Sequence, residues 1–167
     1  MAKTKNITTS YPEVGKKAPP FSAPASNGKT IRLADLKGSV VALYFYPKDN
    51  TPGCTTEACG FRDAYTRLTK EGIIILGVSP DSLDSHRKFT AKFNLPFPLL
   101  ADTDQAICKA YGVWQTKSMY GREYMGVART TFVIDRDGTI AHVFDKVKPD
   151  GHEAEVLDWI SKNLKHP

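Results

Sequence analysis

Three short apolar runs restrict what this chain can fold into: Val40 to Tyr46 (VVALYFY), Ile73 to Val78 (IIILGV) and Thr130 to Asp135 (TTFVID). They are rich in β-branched and aromatic residues. The first two lack the polar–apolar alternation of a strand with one wet face, so they read as strands buried on both sides. Such strands need cover above and below the sheet, and the intervening segments supply it. Pro52 to about Glu71 sets Phe61, Ala64, Tyr65 and Leu68 on one helical stripe, and Gly72 ends it. Ser82 to about Phe93 predicts a second helix, Asp104 to Tyr111 a short third one closed by Gly112. Glu153 to Leu164 predicts a closing helix with Ala154, Val156, Leu157 and Ile160 inward.

Further strands are predicted at Phe97 to Leu100 and at Thr139 to Phe144, the latter turned back by Asp137-Gly138. Phe21 to Ser26 and Thr30 to Leu33 flank Asn27-Gly28-Lys29, a hairpin signal. Alternating strands and helices predict an α/β fold with a mixed central sheet, helices on both faces and an N-terminal β-hairpin, the look of a thioredoxin-like fold. A parallel Rossmann sheet is disfavoured, because no Gly-x-Gly-x-x-Gly follows the first buried strand.

At 167 residues the chain suits one domain. We expect it over 13–167, after a flexible tail at 1–12. The net charge of +5 is spread among acids with no block of five like charges, so nucleic-acid binding is not indicated. No run of about 18 apolar residues exists to span a membrane, and Met1 to Ser10 lacks the apolar core of a secretory signal. Three cysteines, an odd and sparse set, argue against a secreted disulfide framework. A cytoplasmic location is expected.

The stretch Tyr46-Pro47-Lys48-Asp49-Asn50-Thr51-Pro52-Gly53-Cys54-Thr55-Thr56-Glu57-Ala58-Cys59 carries the chemistry. A buried strand ends, a loop turns, and a helix begins, which is where α/β folds build sites. Thr51 suits the N-cap and Pro52 the first helical position, so Cys54 falls in the first turn. There, free N–H groups and the helix dipole favour an anion, and thiolate is the nucleophilic form of cysteine.

Cys59 lies five residues on. In an intact helix the two Cα atoms stand about 8–9 Å apart, whereas a disulfide needs less than about 7 Å. Pairing would therefore require the first turns to unwind. The spacing also differs from the Cys-x2-Cys of dithiol oxidoreductases. Cys108, beside Ile107 and Ala110, reads as structural. A zinc site lacks ligands, because His86, His142, His152 and His166 form no ligand pair.

Pro47-x3-Thr51-x2-Cys54 resembles the peroxiredoxin active-site motif, and YFYPKDNTPGCTTEACGFRD is similar to the peroxiredoxin Q, or bacterioferritin comigratory protein, subfamily. Lys17-Ala18-Pro19, LPFPLLAD (95–102), AYGVW (110–114), MYG (119–121) and RTTFVIDRDG (129–138) extend the likeness over nearly the whole chain. The resemblance implies Cys54 as the peroxidatic cysteine, Thr51 offering its hydroxyl to peroxide and thiolate, and Pro47 shielding the sulfur. It implies Arg129 facing the thiolate, Glu57 orienting that arginine, and Cys59 as the resolving cysteine. Arg129 could not be chosen among the arginines without it.

The activity so implied is reduction of hydrogen peroxide and organic hydroperoxides. A Cys54 sulfenic acid is resolved by Cys59 as an intramolecular disulfide and recycled by thioredoxin or a related dithiol, in protection against oxidative stress. No cofactor or metal is needed, and a monomer is expected. Two readings compete: a general dithiol–disulfide oxidoreductase, and a redox-sensing or chaperone-like binding protein. The loop near Trp114 to Tyr124, with Met119 and Tyr120, could form an apolar wall or simply pack.

Overall fold

The structure, a computed structural model, describes residues 11–164. Its elements run β1 (Ser22–Pro24), β2 (Thr30–Arg32), β3 (Val40–Phe45), α1 (Pro52–Asp63), α2 (Tyr65–Lys70), β4 (Ile73–Ser79), α3 (Leu83–Phe93) and β5 (Leu99–Ala101). There follow α4 (Ala106–Ala110), β6 (Trp114–Met119), β7 (Arg122–Val127), β8 (Thr130–Ile134), β9 (Ile140–Phe144) and α5 (His152–Asn163). The unbroken apolar run of β3 is buried throughout, and it forms the middle of a five-stranded sheet in the order β5-β4-β3-β8-β9. β4 runs parallel to β3, and β8 antiparallel. The sheet is mixed, as expected. β1 and β2 pair antiparallel as the N-terminal hairpin.

Strand periodicity divides β3 between two cores. Val41, Leu43 and Phe45 pack with Phe132, Ile134, Tyr111 and the N-terminal Phe21 and Leu33. Val40, Ala42 and Tyr44 face the other way, onto Cys54, Ala58 and Phe61 of α1, Leu68 of α2, Phe89 of α3, and Val156 and Ile160 of α5. Four helices, α1, α2, α3 and α5, thus cover the second face, while the short α4, through Ile107 and Cys108, and the N-terminal segment cover the first. Tyr44 carries much of the second core: its ring stacks on Phe61 at 4.8 Å and on Tyr46 at 5.4 Å between centroids.

Three features depart from the sequence reading. The helix expected over 52–71 is interrupted at Ala64 (φ −93°, ψ 1°). Phe61, Ala64 and Leu68 stay buried across the break, so apolar spacing alone does not register it. The segment expected as a loop near Trp114 to Tyr124 is the β6–β7 hairpin. Its strands are mostly exposed, so they lack an apolar signature. Its turn signal is Tyr120-Gly121, both with positive φ. Of the expected tail, residues 1–10 lie outside the described residues. Tyr11 packs edge-on against Phe132 and donates to Asp145 Oδ1 at 2.7 Å.

Candidate active site

The sheet register assembles the site. Phe45 pairs with Thr130 across the antiparallel β3–β8 ladder, so Arg129, one residue before β8, stands level with Tyr46 where the chain leaves β3. Phe45 also pairs with Val78 in parallel, and the Tyr46 N–H donates to Val78 O at 3.1 Å. The ends of β3 and β4 and the start of β8 thus converge on the loop that leads into α1.

Thr51 is the N-cap of α1 in extended backbone, followed by Pro52. The Thr55 N–H donates to Thr51 O at 2.8 Å, so the N–H groups of Gly53 and Cys54 precede the helical ladder. Cys54 is 1% exposed. Arg129 spans the site: Nη2 donates to Cys54 Sγ at 3.4 Å and Nη1 to Glu57 Oε1 at 2.8 Å. Glu57 is on the same side of α1, three residues on, because i and i+3 neighbour each other on a helix. Burial opposes the charge on Arg129, but Cys54 and Glu57 hold it, and the net shift of its pKa is upward.

Glu57 is 1% exposed, and its Oε2 has no hydrogen-bond partner among the described residues. Burial pushes its carboxyl up and Arg129 pulls it part of the way back, which leaves it at about 7 in place of the ordinary 4.5. A raised acid favours the folded state most when protonated. The Glu57 contribution is therefore fully present below about pH 4.5 and is lost as pH rises through about 7. A shift of this size corresponds to about 3 kcal/mol. Denaturant titrations at pH 5 and pH 8 should show wild type losing about 2–3 kcal/mol more than Glu57→Gln over that interval; an equal loss would contradict the assignment.

Thr51 stands at the N-cap of α1, as expected. Its hydroxyl makes no cap bond to the helix and donates to Lys48 O at 2.9 Å. With that hydrogen given to Lys48 O, the Oγ1 lone pairs stay available to accept a hydrogen bond. Pro47 is half-buried at the start of the loop. Cys59 is half-buried on α1, and both it and Cys54 are free thiols. The unbroken helix between them keeps them beyond disulfide reach. Cys108 is buried in α4; burial and a hydrogen bond to Asp102 push its thiol far up, consistent with a structural residue. Among the described residues one group has metal-ligating atoms within 4.8 Å of one another, Asp49, Asp81 and His86. It contains no cysteine.

Several neighbours of the site were missed from sequence. A Cβ on Gly53 would meet Arg129 Nη2 at 3.1 Å and Pro149 Cγ at 3.3 Å, so the missing side chain is what lets the guanidinium cross the helix start. Lys117 of β6 is half-buried; burial and then the like charge of Arg129 lower its pKa, while Cys54 raises it. Tyr44 has a buried hydroxyl without a hydrogen-bond partner among the described residues, and burial, then Glu57 and Cys54, push its pKa up. Only the glycine had a local signal, as a small residue inside a helix start.

Residues 14–143 match the AhpC/TSA family. A bcp-type peroxiredoxin of Coxiella burnetii is 54% identical over 145 residues, covering 87% of this chain and 96% of that protein. Peroxiredoxin Bcp of Bacillus subtilis is 48% identical over 148 residues, covering 89% and 94%. A solved structure of the Xanthomonas campestris bacterioferritin comigratory protein, concerned with its alkyl peroxide reduction activity, superposes with a TM-score of 0.85. It is 37% identical and covers 92% of this chain and 100% of that one.

Proposed function

The chain belongs to the AhpC/TSA family and to its peroxiredoxin Q/Bcp branch, a thioredoxin-fold thiol peroxidase, and on that premise we propose that Cys54 reduces peroxides through a Cys54–Cys59 disulfide cycle. The observation that carries this reading is the Arg129 guanidinium held 3.4 Å from Cys54 Sγ at a helix entrance.

The steps follow from the donors and acceptors present. The Cys54 thiolate attacks the hydrogen-bearing oxygen of the peroxide in line. An S–O bond forms, the O–O bond breaks, and hydroxide or alkoxide leaves and takes a proton. Thr51 Oγ1 accepts a hydrogen bond from the attacked oxygen. Arg129 and the Gly53 and Cys54 N–H groups face the growing negative charge, and preorganised donors of this kind lower such barriers. Arginine suits the place because one planar fork reaches both Cys54 and Glu57. Pro47 keeps bulk water from the sulfur.

The Cys59 thiolate attacks the sulfur of the resulting sulfenic acid; the S–S bond forms, the S–O bond breaks, and the hydroxide that leaves takes up a proton to become water. The intact α1 forbids that bond, so its first turns unwind in each cycle. A dithiol reductant, thioredoxin or a relative, then takes the disulfide. Organic hydroperoxides join hydrogen peroxide as substrates, supported by Met119 and Tyr124, exposed on the hairpin that carries Lys117. The protein works as a monomer in a reducing compartment, the cytoplasm, and protects against oxidative stress. No helix among the described residues is long and apolar enough to cross a membrane.

The test is NADPH consumption with thioredoxin, its reductase and hydrogen peroxide or an alkyl hydroperoxide, with disulfide mapping of the oxidised protein. A Cys54–Cys59 bridge is expected. Cys59→Ser should react with one equivalent of peroxide and then stop. Stoichiometric reaction of the wild type without cycling would instead indicate a sensor.

A further inference from the structure

The loop that carries Thr51 is held by a buried polar clamp that the reaction steps do not use. Asp49 is 7% exposed, and His86 and Ser79 are fully buried. Asp49 Oδ1 accepts from the Tyr46 hydroxyl at 2.6 Å. Its Oδ2 accepts from Ser85 Oγ at 2.8 Å and lies 2.7 Å from His86 Nδ1. The backbone N–H of Asp49 donates to Asp81 Oδ2 at 2.8 Å, and Ser79 Oγ donates to that same oxygen at 2.6 Å. One residue is thus tied by its side chain to the end of β3 and to α3, and by its backbone to the end of β4.

The protons can be placed. His86 Nε2 lies 2.8 Å from Leu100 O, and a carbonyl only accepts, so Nε2 carries its hydrogen. The Nδ1–Oδ2 contact then needs a second proton, shared between ring and carboxyl. This makes the contact charge-assisted and buried, stronger and more directional than a neutral hydrogen bond. The ligand atoms of Asp49 and His86 are occupied by these bonds, which reads as a fastening rather than a cation site.

What the clamp fastens is the loop that carries Thr51. Lys48, next to Asp49, supplies the carbonyl that takes the Thr51 hydroxyl hydrogen. Asn50, on the other side, sits at φ 58°, a left-handed conformation that surrounding structure has to hold for a residue other than glycine. If Asp49 lets go, Lys48 O shifts and the Thr51 lone pairs lose their aim. Cys54 and Arg129 lie beyond that loop, on α1 and before β8, and keep their own contact.

We infer that Asp49, clamped by His86 and Ser85, is a positioning residue for peroxide reduction, acting through Lys48 and Thr51 rather than on the sulfur. The inference rests on the peroxidase reading above. It separates two reactions of one thiol. Attack on a peroxide needs the Thr51 acceptor, whereas alkylation by iodoacetamide needs only a reachable thiolate.

The experiment is stopped-flow oxidation of the reduced full chain by hydrogen peroxide, with iodoacetamide alkylation of Cys54 in parallel on wild type, Asp49→Asn and Ser85→Ala. In Asp49→Asn, one accepting oxygen becomes an NH2 facing other donors. Its oxidation is expected to slow about 100-fold, with alkylation within about 3-fold of wild type, the size seen when a preorganised polar group is lost. Ser85→Ala removes one bond to Oδ2, and its oxidation is expected to slow about 5-fold with the same selectivity. Peroxide rates within 3-fold of wild type in Asp49→Asn, or peroxide and alkylation rates falling together, would overturn the inference. Should Asp49→Asn fail to fold, Ser85→Ala decides, and an unchanged peroxide rate there would overturn it. A wild type that peroxide does not oxidise would instead sink the peroxidase reading itself.

Discussion

Cys54→Ser is expected to take peroxide turnover down to the uncatalysed background, a loss of at least about 10⁴-fold in kcat/KM. A serine hydroxyl stays un-ionised at neutral pH, so the electron pair that should break the O–O bond is missing, however well Arg129 and Thr51 are placed. No other thiol can stand in. Cys108 is buried with its thiol held neutral. Cys59 is half-buried, and Arg62 nearby is spent on Asp63 at 2.9 Å and on Phe93 O at 2.9 Å. The measurement is peroxide removal under saturating reductant, with a melting curve to show the variant folded. Activity above about a tenth of wild type would remove Cys54 from the mechanism.

Arg129→Met should lower the rate of Cys54 oxidation about 10²–10³-fold, the cost of losing a preorganised donor at a developing charge. It should also destabilise the fold above pH 7, because Glu57 would be a buried carboxylate with both oxygens unpartnered; stranding one member of a buried pair costs about 3–5 kcal/mol. The two effects separate by a second substitution. Arg129→Met with Glu57→Gln should recover most of that stability above pH 7 and none of the rate. Arg129→Lys keeps the charge but has one nitrogen for two partners, and should fall between. The assignment fails if the double variant regains peroxide reactivity along with stability, or if Arg129→Met oxidises at the wild-type rate.

Much of the architecture was legible because it rests on local rules. The runs at Val40, Ile73 and Thr130 are strands in the structure, since seven or fewer β-formers with no polar face have nowhere else to go. Asn27-Gly28 makes the hairpin turn, Ser82 caps α3 by accepting from the Ser85 N–H, and Thr51-Pro52 starts α1. The β6–β7 hairpin was illegible because its exposed strands show no apolar period. The break at Ala64 was illegible because it leaves the buried face in register.

By itself the sequence determined that a cysteine stands at a helix entrance after a buried strand, because strand, cap and helix are each written within a few consecutive residues. Its five-residue spacing to Cys59 likewise determined that a disulfide needs an unwound helix. Arg129 and Glu57 were named from sequence only through the family resemblance; the tertiary structure brings that guanidinium to the sulfur at 3.4 Å and to the carboxyl at 2.8 Å, and it alone decided what holds the loop beneath. Those partners lie 72 and 75 residues apart for Arg129 with Glu57 and Cys54, and 37 for His86 with Asp49. They meet because two ladders place Thr130 and Val78 beside Phe45, and strand register is a property of the whole sheet that no local stretch of sequence contains.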